Sequence, residues 1–348
     1  MAGRQLQVAC ITRPVSIAYL TGFHAEPHER LMALAVTASG ATLIVPSLEE
    51  EKAVARASEA RVVAWRDGED PYALVAQELG GAAEVGVEKD HLTLLQAEII
   101  TSRSGASELV DVAPEIRKLR LHKNPAEVDK LARAAAITDE AFARVLARIH
   151  AGMTEIDVAM LFGSVIAELG GMLSFPTLVQ SGPNSAMPHL EPSGRKLARG
   201  DFLLLDFGAA YEGYKADSTR MAVIGEPSAR HREIHDVVLR AHDVAIAAVR
   251  PGVTTGDIDA AAREVIDAAG YGKQFFHRVG HGLGLEAHED PSLDPGSRTV
   301  LEPGMAFTIE PGVYVPGFGG VRIEDDVVVT DDGCRVLTKA DRSLHVIN

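Results

Sequence analysis

LLLDFGAAYEGYKADSTRMAVI, residues 203–224, and FTIEPGVYVPGFGGVRIEDDVVV, residues 307–329, each read as two strands joined by a turn. Side chains alternate between the faces of a strand, so Leu204, Asp206 and Gly208 share one face. A turn at about Tyr211–Glu212 sets Asp206 directly across from Asp217. In the second hairpin PGFGG supplies the turn, and folding at Gly317 sets Glu310 across from Glu324. Such cross-strand neighbours have β-carbons about 4.5–5.5 Å apart, and like charges there destabilise a sheet. The flanking LLL and VVV runs indicate that both pairs are at least half buried. Buried unpaired carboxylates are costly and tend to take up protons. Two such pairs at matching places call for a compensating cation, and four carboxylates fit two divalent metals about 3.5–4 Å apart. Glu212, Asp325 and Asp326 read as solvated acids close to turns.

The hairpins close two halves that repeat at an offset of one hundred residues. Ala141 and Ala241, Gly152 and Gly252, Thr154 and Thr254, Val165 and Val265, Ile166 and Ile266, and Gly170 and Gly270 all correspond. The order of elements corresponds too: a helix, a Gly-x-Thr entry to a second helix, Gly-rich extended chain, then a hairpin. Two pseudo-symmetric αβ halves facing each other are expected, with a site between them.

Before the second hairpin stands HRVGHGLGLEAHEDP, residues 277–291. His277 and His281 have the spacing of a zinc-binding helix, but Gly280, Gly282 and Gly284 each cost a helix roughly 1 kcal/mol. An extended, Gly-rich segment is expected instead. Where the second half has His281 the first has Ser181, so this position breaks the repeat and makes the two metal sites unequal. His281 is therefore a candidate ligand. His189 and His288, nearly equivalent in the two halves, suit a facing pair of substrate-binding or proton-handling groups. His277 suits a supporting or packing role as well as a direct one.

Upstream, LQVACITR, ATLIVPS, VVAWR and EVGVE read as strands and PSLEEEKAVARASEA as a helix, which together make a small N-terminal α/β domain. His24, His28 and Arg30 fall in a loop-like stretch, GFHAEPHER. Helical periodicity begins after Leu119, with Asn124–Pro125 and Glu127 as a helix start. The expected division is 1–118 and 119–348, an α/β (α+β) chain. Its length of 348 residues suits about two domains at roughly 150 residues each. A net charge of −15 argues against nucleic acid and anionic membrane surfaces as partners. The opening MAGRQLQVACITRP lacks the apolar run of a signal peptide. Cys10 and Cys334 have no disulfide or metal spacing, which suits a reducing cytoplasm.

LLLDFG, GYKADSTR, HRVGHGLGLEAHEDP, FTIEPGVY and VRIEDD, in this order, resemble the metallopeptidases of the pita-bread fold: methionine aminopeptidase, aminopeptidase P and prolidase. The resemblance spans nearly the whole chain. It implies that Asp206 chelates one metal, that Asp217 and Glu324 bridge two, and that His281 and Glu310 complete the second. It places His189, His288 and Arg322 at substrate and transition-state positions. The N-terminal domain, with SIAYLTGF and PHERL, is similar to that of aminopeptidase P and prolidase. The implied reaction is hydrolysis of Xaa-Pro bonds by a water bridging two metals, with Xaa-Pro dipeptides as the first expectation and longer Xaa-Pro-Yaa peptides as the alternative. Glu310 would carry the proton, His288 and Arg322 would stabilise the oxyanion, and His189 would contact the leaving side. The carboxylate-rich set favours manganese, with cobalt or zinc as alternatives. A homodimer is implied as well. A metal-free hydrolase like creatinase, or a non-catalytic relative, would have lost ligands that are all present here. One departure stands out. Where some prolidases carry a carboxylate-clamping arginine after the His-Glu segment, this chain has Ser292 and Leu293. Arg298, Arg322 or a partner subunit's residue would have to replace it.

Overall fold

A computed structural model describes residues 6–348; the first five residues, part of the stretch read above for a signal peptide, lie outside it. The chain divides into two compact units, one up to Arg120 and one from Leu121. In the first, six strands form one mixed sheet in the spatial order Arg61–Trp65, Gly40–Pro46, Ala33–Thr37, Val8–Ile11, Glu84–Val87, Glu108–Asp111. Alternation along the central strands sends side chains into two apolar layers. Cys10, Ile44 and Val85 pack with Val75, Leu79 and Ile100, while Ile11, Leu43 and Val45 pack with Ile17, Ala53 and Ile116. The strands Ala33–Thr37 and Glu108–Asp111 were not among those expected from the sequence. The helix expected from Pro46 starts later, at Glu50, after a 3-10 turn over Ser47–Glu49.

The second unit opens at the expected signal. The Asn124 side chain accepts from the Glu127 amide at 3.1 Å and the Glu127 carboxylate accepts from the Asn124 amide at 2.8 Å, capping the helix Pro125–Leu146. The repeat is visible in the caps that follow. Thr154 and Asp157 cap the helix Glu155–Glu168, and Thr254 and Asp257 cap Thr255–Ala268 by the same reciprocal bonds. Each second helix packs on the long helix before it, Pro125–Leu146 in the first half and Ala229–Ala248 in the second.

The strands repeat in the same way. Leu178–Ser181 pairs with Phe202–Phe207, which pairs with Ser218–Ile224; one hundred residues on, His281–Gly282 pairs with Ala306–Ile309, which pairs with Asp325–Val329. Strand Phe202–Phe207 is buried on both faces. Leu203, Leu205 and Phe207 pack with Phe142, Phe162 and Val165 of their own half, whereas Phe202 and Leu204 join Ile234, Val238, Phe307 and Ile309 of the other. Asp206 is on this second face, so the packing that buries Leu204 also directs the carboxylate toward the opposite half. Each such buried apolar side chain contributes roughly 1.5–3 kcal/mol.

The two hairpins differ in how they meet expectation. The second has one register throughout: Ile309 faces Asp325 and Gly312 faces Arg322, with Glu310 and Glu324 between these ladders. In the first, Asp206 faces Thr219 and not Asp217. The turn lies at Glu212–Gly213, both with positive φ (47° and 85°), between the paired Tyr211 and Tyr214. The register is therefore displaced by two residues, which keeps both aspartates on one face as diagonal neighbours. Among the described residues no helix is long and apolar enough to cross a membrane.

Candidate metal centre

Nine side chains singled out in the sequence line one cavity of about 990 Å³: His189, Asp206, Asp217, His277, His281, His288, Glu310, Arg322 and Glu324. Their elements explain the convergence. Asp206 lies one residue before the end of an inner strand, Asp217 precedes that strand's partner, and Glu310 and Glu324 occupy the gap between the two ladders of the second hairpin. His281 enters from a two-residue strand squeezed between Glu289–Ser292 and Ala306–Ile309. Glycine on both sides of it permits the fit. A β-carbon at Gly280 would lie 1.9 Å from the Thr308 carbonyl oxygen, and one at Gly282 would lie 2.2 Å from that of Asp290. The glycines that excluded a helix thus allow the close strand packing that delivers this histidine.

Three groups of potential ligand atoms each lie within 4.8 Å of one another: Asp206, Asp217 and Glu324; His281, Glu310 and Glu324; and Asp217, His281 and His288. Glu324, Asp217 and His281 each belong to two groups. Nε2 of His281 is 3.3 Å from Glu310 and 3.8 Å from Asp217, and its ring centroid is 3.9 Å from that of His288. Protein groups alone leave this cluster electrostatically frustrated. Burial, then Glu324 and Asp206, pushes the Asp217 carboxyl well above its ordinary range. Burial, then Glu310 and Asp206, does the same to Glu324, and burial pushes Glu310 up to about 7. Burial, then His288, lowers His281 to about 3, so its imidazole is neutral and a nitrogen lone pair is available. Asp206 Oδ1 and Asp217 Oδ1 are buried without a hydrogen-bond partner. Orphaned carboxylate oxygens beside a neutral imidazole are a donor set that fits divalent cations.

One cation is already present. Arg322 donates to Asp206 at 2.5 Å, to Thr219 Oγ1 at 3.0 Å and to the Tyr314 hydroxyl at 3.2 Å, while Thr219 donates to Glu324 at 2.6 Å. His277 has both nitrogens engaged. The Arg278 carbonyl 2.7 Å from Nδ1 can only accept, so Nδ1 carries the proton and Nε2 accepts from the Tyr314 hydroxyl at 3.0 Å. His277 thereby fixes Tyr314 and, through it, Arg322.

Asp325 and Asp326, expected to be solvated, are instead buried, at 0% and 1% exposure. Burial pushes the Asp325 carboxyl up, but Arg220, then His242 and Arg342, hold it below its ordinary range. Its Oδ1 accepts from Arg220 at 2.7 Å and from Thr338 at 2.7 Å, and His242 Nε2 lies 2.9 Å from Oδ2. Asp326 accepts from the Asp217 amide at 3.0 Å. These partners lie up to 109 residues away in sequence, and no local pattern announces them. Two further groups escape the sequence reading, Arg278 in the cavity wall and Tyr314, which is bonded to the cavity-lining Arg322 and His277. Tyr314 stands within FTIEPGVY, and Arg278 stands beside His277 in the very motif that drew attention. Arg298, considered for the carboxylate clamp, is exposed and does not line the cavity.

Comparisons with known proteins point to one family. Residues 129–331 match the model for metallopeptidase family M24, and residues 1–122 match the creatinase/prolidase N-terminal domain. An Xaa-Pro dipeptidase of Lactobacillus helveticus is 39% identical, over 98% of this chain and 95% of its own length. An Xaa-Pro dipeptidase structure from Bacillus anthracis superposes with a TM-score of 0.93 at 36% identity, covering 98% of this chain and 95% of that one. An X-Pro aminopeptidase structure from Thermotoga maritima gives 0.90 at 32% identity, covering 98% of both.

Proposed function

This chain belongs to metallopeptidase family M24, and from that premise we propose that it is a prolidase, hydrolysing the bond before proline in Xaa-Pro dipeptides. It is a metal-dependent peptidase whose larger unit has the pita-bread fold. The observation that carries the proposal is the convergence of the five proposed ligands and four further polar side chains on one cavity. Its volume, about 990 Å³, suits a small peptide. The dipeptidase named among the relatives, matching over 98% of this chain, supports the dipeptide over a longer substrate.

Asp206, Asp217, Glu324, His281 and Glu310 would hold two divalent ions, manganese first because carboxylates dominate the set. When bound, such ions supply positive charge that acidifies water and polarises a scissile carbonyl. The protein's own groups do the rest. Glu310, at the cavity wall, accepts the proton of the attacking water on a carboxylate oxygen and returns it to the departing proline nitrogen. Arg322, fixed by Tyr314 and Thr219, and His288 supply donors where negative charge grows on the carbonyl oxygen. His189, on the opposite half, contacts the leaving side. A homodimer in a reducing cytoplasm accompanies this proposal, and the mass of the protein in solution tests the first part.

The aminopeptidase among the structural neighbours keeps a second substrate in view, the longer Xaa-Pro-Yaa peptide. Turnover of Leu-Pro and Leu-Pro-Gly by manganese-loaded protein separates the two. A higher kcat/KM on Leu-Pro is expected, and a strong preference for Leu-Pro-Gly would overturn the dipeptidase proposal.

A further inference from the structure

A dipeptide that fills this cavity brings a free carboxylate with it, and the protein needs a cation to meet it. Three arginines stand near the cavity wall. Arg322 is held by Asp206, Thr219 and Tyr314 and is assigned above to the carbonyl oxygen. Arg263 is paired at both ends of its fork with Asp259, at 2.9 Å on each side, and also caps the carbonyls of Phe275 and His277. Arg278 differs. It lines the cavity, is half-buried, and pairs with no carboxylate among the described residues. Its guanidinium makes one side-chain hydrogen bond, from Nη1 to Ser292 Oγ at 2.7 Å.

Ser292 stands after the His-Glu segment, where some prolidases carry a carboxylate-clamping arginine and this chain does not. The short serine side chain accepts from a guanidinium that arrives from the neighbouring strand region, so the charge missing at 292 is supplied from 278. A neutral partner fixes the fork without neutralising it. The remaining N–H groups can therefore take a carboxylate in the paired geometry that guanidinium favours.

We infer that Arg278, steadied by Ser292, is the residue that binds the free carboxylate of the substrate. This rests on the dipeptidase reading above and names the group that makes it selective. The test uses manganese-loaded enzyme with Arg278→Met and Arg278→Lys, on Leu-Pro and on Leu-Pro amide, which lacks the negative charge. In Arg278→Met, kcat/KM on the dipeptide is expected to fall through KM by at least about tenfold more than on the amide, as loss of a charge-assisted hydrogen bond implies. Arg278→Lys, keeping charge without the fork, is expected to fall between. A parallel loss on both substrates, or an undiminished preference for the acid, would overturn the inference.

Binding of L-proline and prolinamide to the same loaded proteins, measured by calorimetry, separates this inference from the reading beneath it. If the wild type cleaves neither substrate yet prefers proline in an Arg278-dependent way, the anchor stands and the dipeptidase reading falls. If Leu-Pro is cleaved while Arg278→Met keeps the wild-type preference for proline, the reading stands and the anchor falls.

Discussion

The backbone amide of Asp217 donates to the Asp326 carboxylate across 3.0 Å, so an acid of the second hairpin holds in place a proposed ligand of the first. Groups that orient metal ligands from behind typically change metal affinity by about 10–100-fold when removed. Asp326→Ala is expected to weaken manganese binding by that order while the five proposed ligands stay in the chain. Calorimetric titration of stripped protein with manganese measures it, and unaltered affinity would show that the bond is dispensable.

Asp325 and Arg220, both fully buried, pair at 2.7 Å behind the same cavity. Removing one member of a buried pair leaves an uncompensated charge and costs about 3–5 kcal/mol. Asp325→Ala is therefore expected to lower the Tm of the larger unit by about 10 °C, at the usual 2–4 °C per kcal/mol for a domain of this size. Calorimetric unfolding decides this, and a shift within about 2 °C would mean that solvent reaches Arg220 readily.

In the N-terminal unit, burial and then Glu88 push the Cys10 thiol up to about 12. The unfolded chain releases that proton near the ordinary thiol value while the folded chain keeps it. The contribution of Cys10 to stability is thus intact below about pH 8.5 and is lost as pH rises from there toward 12. At pH 8, iodoacetamide is expected to spare Cys10 in the folded protein and to label it in denaturant. Rapid labelling of the folded protein would contradict its burial.

What could be read from the sequence depended on whether the determining residues were neighbours. Asn124, Pro125 and Glu127 announce a helix start within four positions, and the start is there. The repeat at one hundred residues carried the paired caps at Thr154 and Thr254 and the strand order of both halves. PGFGG, with Gly317 at a φ of 75°, fixed the second hairpin's register, whereas the first turned on Glu212 adopting a φ of 47°, which glutamate rarely does. That single conformational choice moved Asp206 from opposite Asp217 to opposite Thr219. Asp325 and Asp326 resemble surface acids until Arg220, His242 and Thr338 come to meet them. Arg278 was overshadowed by the histidines around it, because its significance lies in Ser292, fourteen residues on.

The central claim is that the buried carboxylates and His281 form a metal centre on which hydrolysis of Xaa-Pro bonds depends. The most direct measurement is the rate of Leu-Pro hydrolysis by chelator-stripped protein as manganese is added back, with bound metal counted by elemental analysis, in the wild type and in Glu324→Gln. The expected result is negligible activity without metal, recovery as about two ions bind per chain, and loss of both binding and activity in the variant. Full activity with less than one ion bound per chain, or unchanged metal content in Glu324→Gln, would contradict it.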